Sequence, residues 1–321
     1  MVVDDEEKAN ILNTFFSTVF TVENEMLGEI PRNNENPILR VTNLTQEEVR
    51  NRLNKIKIDK SPGPDGIHPR VLRELSNEIP LDDSPKMFDD QYKGCRDKMD
   101  KVVPGILKSE MQSNKEFKDS WEKASQSWKL IKPTMKLPKN FQNEHGIAVI
   151  AYTGNIYEAF NKATRDVGAS SKNYKNKYRF KAMHYYLTMA VDLLGNKKRS
   201  TLVYRGVKSI HFVPSNSSGR VIRFGQFTSS SEDIKVAKNF GTASFFKMQT
   251  RYGANIMKFS KYPNEKEVLI PGYELFKVQL FKKQTHEFTL VSTGKTKNLF
   301  NCAYFKGKTY EDNLTLMLMF L

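Results

Sequence analysis

Apolar positions recur along the chain first at helical and later at strand spacing. Over residues 4–20, Leu12, Phe15, Phe16 and Val19 form one stripe that Asp4 or Asp5 can cap, which predicts an amphipathic helix. A polar, Asn- and Pro-rich stretch runs from Asn24 to Pro37. Thr45 and Glu48 form a capping box ahead of Val49, Leu53 and Ile56, which share a helix face. "DKSPGPDGIHP" (59–69) interrupts both patterns and reads as a loop, and a short helix from Arg70 to Glu78 is expected to end at Pro80. This front segment has few apolar residues from which to build a core of its own.

Residues 91–195 read as mostly helical. Phe117, Trp121, Trp128 and Ile131 recur at helical spacing as a core stripe, and "YEAFNKATRDVG" ends in a glycine cap. In "YRFKAMHYYLTMAVDLLG", Phe180, His184, Leu187, Val191 and Leu194 fall on one face, so His184 reads as a packed core side chain. After Gly195 the texture changes to short β-rich runs: "STLVYRGV", "RVIRFGQFTS", "EVLI", "YELFKVQLF", "HEFTLVS" and "LFNCAYF". Helices first and strands later predict an α+β fold. There is no internal repeat.

Charge divides the chain. Residues 1–80 carry 10 Lys and Arg against 14 Asp and Glu, a net of −4, whereas the remainder carries 41 against 22, a net of +19. The asymmetry marks two pieces with different histories. A surplus of that size either solubilises a basic surface or favours anionic partners such as phosphates, acidic proteins, anionic membranes or nucleic acid. No apolar run approaches the roughly 20 residues of a membrane helix. Cys95 and Cys302 are the two cysteines, either buried thiols or one bridge closing most of the second piece. The five histidines (His68, His145, His184, His211 and His286) are scattered, with no recognisable zinc site or Cys–His pair, and no metal is expected.

Phe88-Asp89-Asp90 looks like the aromatic-Asp-Asp turn of a polymerase, and its context strengthens the likeness. "KANILNTFFSTVFT" and "KSPGPDGIHPRVLREL" resemble the opening of the reverse transcriptase of LINE-type (non-LTR) retrotransposons over about residues 5–80. A two-metal polymerase needs carboxylates from separated strands to converge on two ions. Asp89 and Asp90 follow the Gly-Pro-Asp-Gly loop too closely for that, no strand-borne Asp precedes them at a suitable distance, and no later aromatic-Asp-Asp hairpin appears. Residues 1–80 therefore read as a retroelement fragment: a partly ordered helical appendage without function of its own, in front of a second domain at 81–321.

Three motifs in that second domain carry chemistry. Arg205 lies in "LVYRGV", Ser229 opens the triple serine of "FGQFTSSS", and Glu265 and Glu267 stand two apart in "NEKEVLIPG". Taken singly these are a surface charge, a loop and a solvent-facing pair. Two carboxylates at the mouth of a strand can point to one side, where a cation between them relieves their repulsion. In the order Arg, Ser, Glu-x-Glu they resemble the arginine-specific mono-ADP-ribosyltransferases of vertebrates, relatives of clostridial and cholera-type toxins. The likeness runs from about Leu81 to Cys302 through "FDDQYKGC", Trp121, Trp128, "EHGIAVIAYT", "FNKATRDVG", "VYRGV", "RFGQFTSSS", "FSKYPNEKEVLIPGYELFKV" and "NCAYFKG".

The resemblance implies a helical subdomain packed on a two-sheet β core, with NAD (or NADP) as co-substrate. It makes Arg205 a phosphate grip, which suits the guanidinium fork. It sets Ser229 beside the nicotinamide ribose, holding the catalytic carboxylate. It makes Glu267 that carboxylate, stabilising the oxocarbenium ion as nicotinamide departs, and gives the incoming guanidinium to Glu265. Tyr152, Gln226 and Ser260 match positions lining the NAD pocket. Ser230 departs from the usual Ser-Thr-Ser.

The resemblance also implies a Cys95–Cys302 bridge, while the cysteines of a second bridge common in the family are absent together. The expected partners are acceptor proteins with exposed arginine, met by a monomer, with no specific nucleic acid and no transmembrane segment. Family members are extracellular, surface-bound or in the endoplasmic reticulum. "MVVDDEEKAN" lacks the features of a secretory signal, so a chimeric gene model or exon fusion is expected at the join. "NLTLMLMFL" is too short for a full lipid-anchor signal. Two alternatives stand beside the transferase: an NAD glycohydrolase, and a nucleic-acid-binding retroelement remnant.

Overall fold

The computed structural model describes residues 52–305 apart from 54, 63–65, 77, 86, 168–170 and 216–220. The helix expected over 4–20, most of that expected from Thr45, the glycine cap at 168 and the tail "NLTLMLMFL" lie outside the described residues. The chain divides into two compact units at Asn77 and Glu78.

In the first unit the described helix is α1, Pro69–Ser76. Pro69 opens it, where a missing N–H costs nothing, and the His68 ring accepts a hydrogen bond from Arg70 N at 3.1 Å. The expected helix to Glu78 is corrected here: it ends at Ser76, and Glu78–Leu81 is strand β1. Pro80 fits because β1 lies in a two-stranded sheet, where a strand tolerates a residue that cannot donate.

The second unit opens with β1, which is followed by helices α2 (Arg96–Ser113), α3 (Lys115–Ile131), α4 (Asn143–Tyr152), α5 (Ile156–Val167), α6 (Ser171–Lys177) and α7 (Lys181–Leu194). Asn114 caps α3 by accepting from Phe117 N at 3.0 Å, and Phe117, Trp121, Ala124 and Trp128 are the buried stripe. Gly146 lets α4 approach α3: a Cβ there would lie 2.6 Å from the Trp128 ring. The single apolar face expected for α7 is also corrected, because every residue from Lys181 to Val191 is buried. Its start is held by the buried Glu110, which accepts from Lys181 N at 2.9 Å and Ala182 N at 3.0 Å. His184 is a core side chain, hydrogen-bonded to the Tyr92 hydroxyl at 2.8 Å, and burial lowers its pKa to about 3.

The strands follow: β2 (Thr201–Val207), β3 (His211–Pro214), β4 (Val221–Ile222), β5 (Thr228–Ser231), β6 (Ser244–Thr250), β7 (Ala254–Asn255), β8 (Glu267–Ile270), β9 (Glu274–Lys282) and β10 (Glu287–Thr296). Short helix α8 (Ile234–Asn239) sits between β5 and β6. Among the described residues β1 pairs with β3 in parallel, and the other eight strands form one sheet in the order β4-β9-β10-β6-β2-β5-β8-β7. The β core is therefore one large sheet and one two-stranded ribbon. Val203, Phe246, Met248, Val268, Ile270, Phe276, Phe288 and Leu290 fill its apolar side. A second cluster joins the helices to the strands through Phe227, Ala254, Phe259 and Leu269.

Phe88-Asp89-Asp90 proves to be the fastener of this unit. Asp89 is ion-paired with Arg223 at 2.6 Å, both side chains fully buried, and also accepts from Phe300 N at 2.9 Å. Asp90 accepts from Tyr92 N at 2.7 Å, Cys302 N at 2.9 Å and Ala303 N at 3.0 Å. Burial raises its pKa to about 6 against the pull of those three bonds. Cys95 and Cys302 form a disulfide across 207 residues of sequence.

Candidate active site

The site lies where β2, β5 and β8 run side by side. Arg205 is on β2, and Gly206 after it lets that strand press against α8: a Cβ there would stand 2.2 Å from the Ala237 carbonyl. The half-buried Arg205 donates from Nη1 to the Ser229 carbonyl on β5 at 2.6 Å. Burial lowers its pKa, while Tyr152, Tyr157 and Glu267 favour its charge. Among the described residues that is its one side-chain hydrogen bond, which leaves the other guanidinium N–H groups without a protein partner.

Glu267 begins β8 and is 7 % exposed. Burial pushes its carboxyl above the usual range. A hydrogen bond from Ser229 opposes this, Glu265 adds repulsion, and a bond from Ser260 and the charge of Arg205 pull back down. Ser260 is itself buried and accepts from Tyr262 N at 3.0 Å. Tyr152, at the end of α4, donates to the Phe227 carbonyl at 2.9 Å; burial takes its pKa to about 12, with Asn161, Arg205 and Ser229 pulling the other way. Arg205, Ser229, Ser260, Tyr152 and Glu267 thus meet in one cluster.

The relation of Glu265 to Glu267 differs from the expected strand alternation. Glu265 ends a 3-10 turn, Pro263–Glu265, and Lys266 takes a left-handed conformation with φ 46°. This reversal brings two residues adjacent to one lysine close enough to repel. Lys266 is pinned by Asp233 at 3.0 Å, its carbonyl accepts from Glu232 N at 3.1 Å, and Ser231 donates to the Glu265 carbonyl at 2.6 Å. Glu265 is half-buried, which raises its pKa. Nothing in the local sequence singles out Asp233 or Ser231 as supports, because they act across strands.

Gln226 precedes β5 and engages a different partner: its side-chain oxygen accepts from Arg165 of α5. Ser230 donates to the Val268 carbonyl at 2.7 Å, which makes it a strand-to-strand tie. Asn161 and Tyr157, both on α5, are two neighbours of the cluster that motif reading missed; Asn161 donates to the Tyr152 hydroxyl at 3.1 Å. Among the described residues no group of three or more His, Cys, Asp or Glu side chains could hold a metal ion, and no helix is long and apolar enough to cross a membrane.

Residues 81–298 match the NAD:arginine ADP-ribosyltransferase family. The chain belongs to that family. Its reaction transfers ADP-ribose from NAD to an arginine side chain and releases nicotinamide. The chain is 41% identical over 235 residues to ecto-ADP-ribosyltransferase 5 of Bos taurus, covering 70% of this chain and 74% of that protein. It is 39% identical over 252 residues to T-cell ecto-ADP-ribosyltransferase 1 of Rattus norvegicus, covering 77% and 88%. A crystal structure of a point mutant of the mono-ADP-ribosyltransferase ART2.2 in complex with NADH superposes with a TM-score of 0.64 at 40% identity, covering 70% of this chain and 99% of that one. A second ART2.2 mutant, in complex with NAD, gives the same score at 39% identity. This ADP-ribosyltransferase accordingly shares its α+β fold with proteins solved with dinucleotide bound.

Proposed function

We propose that the two glutamates divide the reaction between them, Glu267 acting on NAD and Glu265 on the acceptor. The observation that carries this is the buried Glu267 carboxylate, held by Ser229 and Ser260 beside Arg205, with a half-exposed Glu265 next to it. Arg205 grips a phosphate of NAD, and Tyr152, Gln226 and Ser260 line its pocket. Glu267 accepts from the nicotinamide ribose hydroxyl. As the bond from ribose C1′ to the nicotinamide ring nitrogen breaks, the leaving group takes the electron pair and departs neutral. The ribose becomes an oxocarbenium ion, and a fixed carboxylate in a water-poor site stabilises a charge present only in the transition state.

The acceptor guanidinium is a cation, bound and oriented by Glu265. Its nitrogen forms the new bond to C1′, and the proton it loses passes to Glu265 and on to solvent. The positions of the carboxylates fit this order, since the buried one faces a transient cation and the more exposed one meets an incoming side chain. The acceptors are proteins presenting an exposed arginine to a monomeric enzyme. The transferase occupies 81–321, and the retroelement-like residues 1–80 take no part in its chemistry. The disulfide and the ecto-enzyme names of the relatives support action outside the cell or in the secretory pathway.

Incubation with NAD and agmatine, a soluble guanidine, tests the reading. ADP-ribosyl-agmatine and nicotinamide are expected in equal amounts. Free ADP-ribose with no agmatine adduct would replace the transferase by an NAD glycohydrolase.

A further inference from the structure

Exposed cations from three elements gather at the start of β2, and one carboxylate answers them. Asp192, in the last turn of α7, pairs with Arg96 of α2 at 3.0 Å and with Lys197. The Lys197 carbonyl accepts from Arg251 Nε at 2.8 Å, which ties the turn after β6 to the turn before β2. The Arg251 guanidinium also lies against β10, where a Cβ on Gly294 would stand 3.3 Å from Nη1. Lys198 and Arg199 follow in the same turn, exposed and with no side-chain partner among the described residues.

Other acids nearby do not neutralise this group. Glu274 is buried and accepts from Arg251 N at 2.7 Å, so it takes that residue's backbone and not its guanidinium. Asp97, the exposed neighbour of Arg96, pairs with none of the cations among the described residues. The pair that does form is one that helices disfavour. Arg96 begins α2 and Asp192 lies in the last turn of α7, so each charge opposes its helix dipole. Crowded like charges destabilise a compact state, and an anionic partner relieves them. The cluster is also partly ordered in advance. Cys95, which caps α2, is held by the disulfide, Asp192 fixes Arg96 and Lys197, and Lys197 fixes Arg251. Side chains already held lose less entropy on binding.

Guanidinium and ammonium groups spread over three elements suit a chain of anions better than a single ion. A guanidinium fork takes a tetrahedral oxyanion through paired hydrogen bonds, and a Lys/Arg run such as "KKR" (197–199) is a composition met in polyanion patches. Outside the cell the polyanion to hand is sulphated polysaccharide. We propose that Arg96, Lys197, Lys198, Arg199 and Arg251 form a docking surface for a sulphated polysaccharide. The surface lies at the start of β2, whereas Arg205 lies near its end, so a bound chain leaves the NAD site open. The choice of polysaccharide rests on the extracellular reading given above; the surface itself does not.

Binding of heparin to the full chain at about 0.15 M salt tests it, against a charge-matched control. The patch variant is Lys198→Ala, Arg199→Ala and Arg251→Ala. The control is Lys108→Ala, Lys115→Ala and Lys118→Ala, exposed lysines of α2 and α3. The patch variant should bind heparin about tenfold more weakly, the scale of three exposed charge pairs, and its log Kd should depend less steeply on log salt. The control should stay within about twofold of the parent. Transfer to agmatine should keep its rate in both variants, and heparin should not compete with NAD. If the patch variant melts below the parent, Lys198→Ala with Arg199→Ala carries the test, because neither side chain has a partner to lose. Equal losses in patch and control would reduce binding to net charge and overturn the surface, as would a parent that does not bind. Tighter binding of duplex DNA or of phosphatidylserine vesicles than of heparin would overturn the choice of polysaccharide. Recovery of the expressed chain from the cytosol alone would instead overturn the extracellular reading, on which the purified-protein measurement does not depend.

Discussion

Arg205 on β2 holds the Ser229 carbonyl of β5 at 2.6 Å, so the residue expected to bind phosphate also locks the strand that carries the serine. This contact uses one corner of the guanidinium and leaves its other N–H groups without a partner among the described residues. Arg205→Lys keeps the charge and loses the fork. It should reduce kcat/KM for NAD by about 10- to 100-fold, the range of one charge-assisted hydrogen bond. Steady-state kinetics with NAD varied checks this.

Glu267 must be ionised to stabilise an oxocarbenium ion, and burial raises its pKa above the ordinary value of 4.5. Activity should therefore rise with pH through a limb above that of a free glutamate. Glu265 contributes part of the upward shift by repulsion. Glu265→Gln removes that charge, so the acid limb of residual NAD cleavage should move to lower pH. A kcat–pH profile of the two enzymes measures the displacement; movement to higher pH contradicts it.

The disulfide and the two aspartates fasten the same ends of the domain by separate means. Reducing Cys95–Cys302 should lower stability by about 5 kcal/mol on a loop-entropy estimate, as a fall in melting temperature. Asp90 still holds Cys302 N and Ala303 N in the reduced chain. NAD turnover well below the melting temperature should therefore survive reduction.

Asp89→Ala should be nearly as damaging as losing the bridge. It leaves the fully buried Arg223 guanidinium without its carboxylate. An uncompensated buried charge costs about 3–5 kcal/mol, and chemical denaturation should show a loss of that size.

Parts of this architecture were legible in the sequence for a physical reason. The stripe of Phe117, Trp121 and Trp128 follows helical period, and Arg205, Ser229 and Glu267 each sit in a short β-run whose flanks are distinctive. What the sequence hid was set by partners far along the chain. A helix buried on all sides, as at 181–191, has no amphipathic signature. Asp89 and Asp90 look like metal ligands until Arg223 and the amides of Phe300, Cys302 and Ala303 are placed against them. The reversal at Lys266 depends on Asp233 and on backbone bonds from the neighbouring strand. Periodicity reports which face is apolar; it does not report which polar groups will meet.

The division of labour between the two carboxylates is tested most directly by the products of Glu265→Gln with NAD and agmatine. The account predicts that the parent enzyme forms ADP-ribosyl-agmatine, while the variant releases nicotinamide with free ADP-ribose and little adduct. A Glu265→Gln enzyme that forms the adduct at the full parental rate would contradict it.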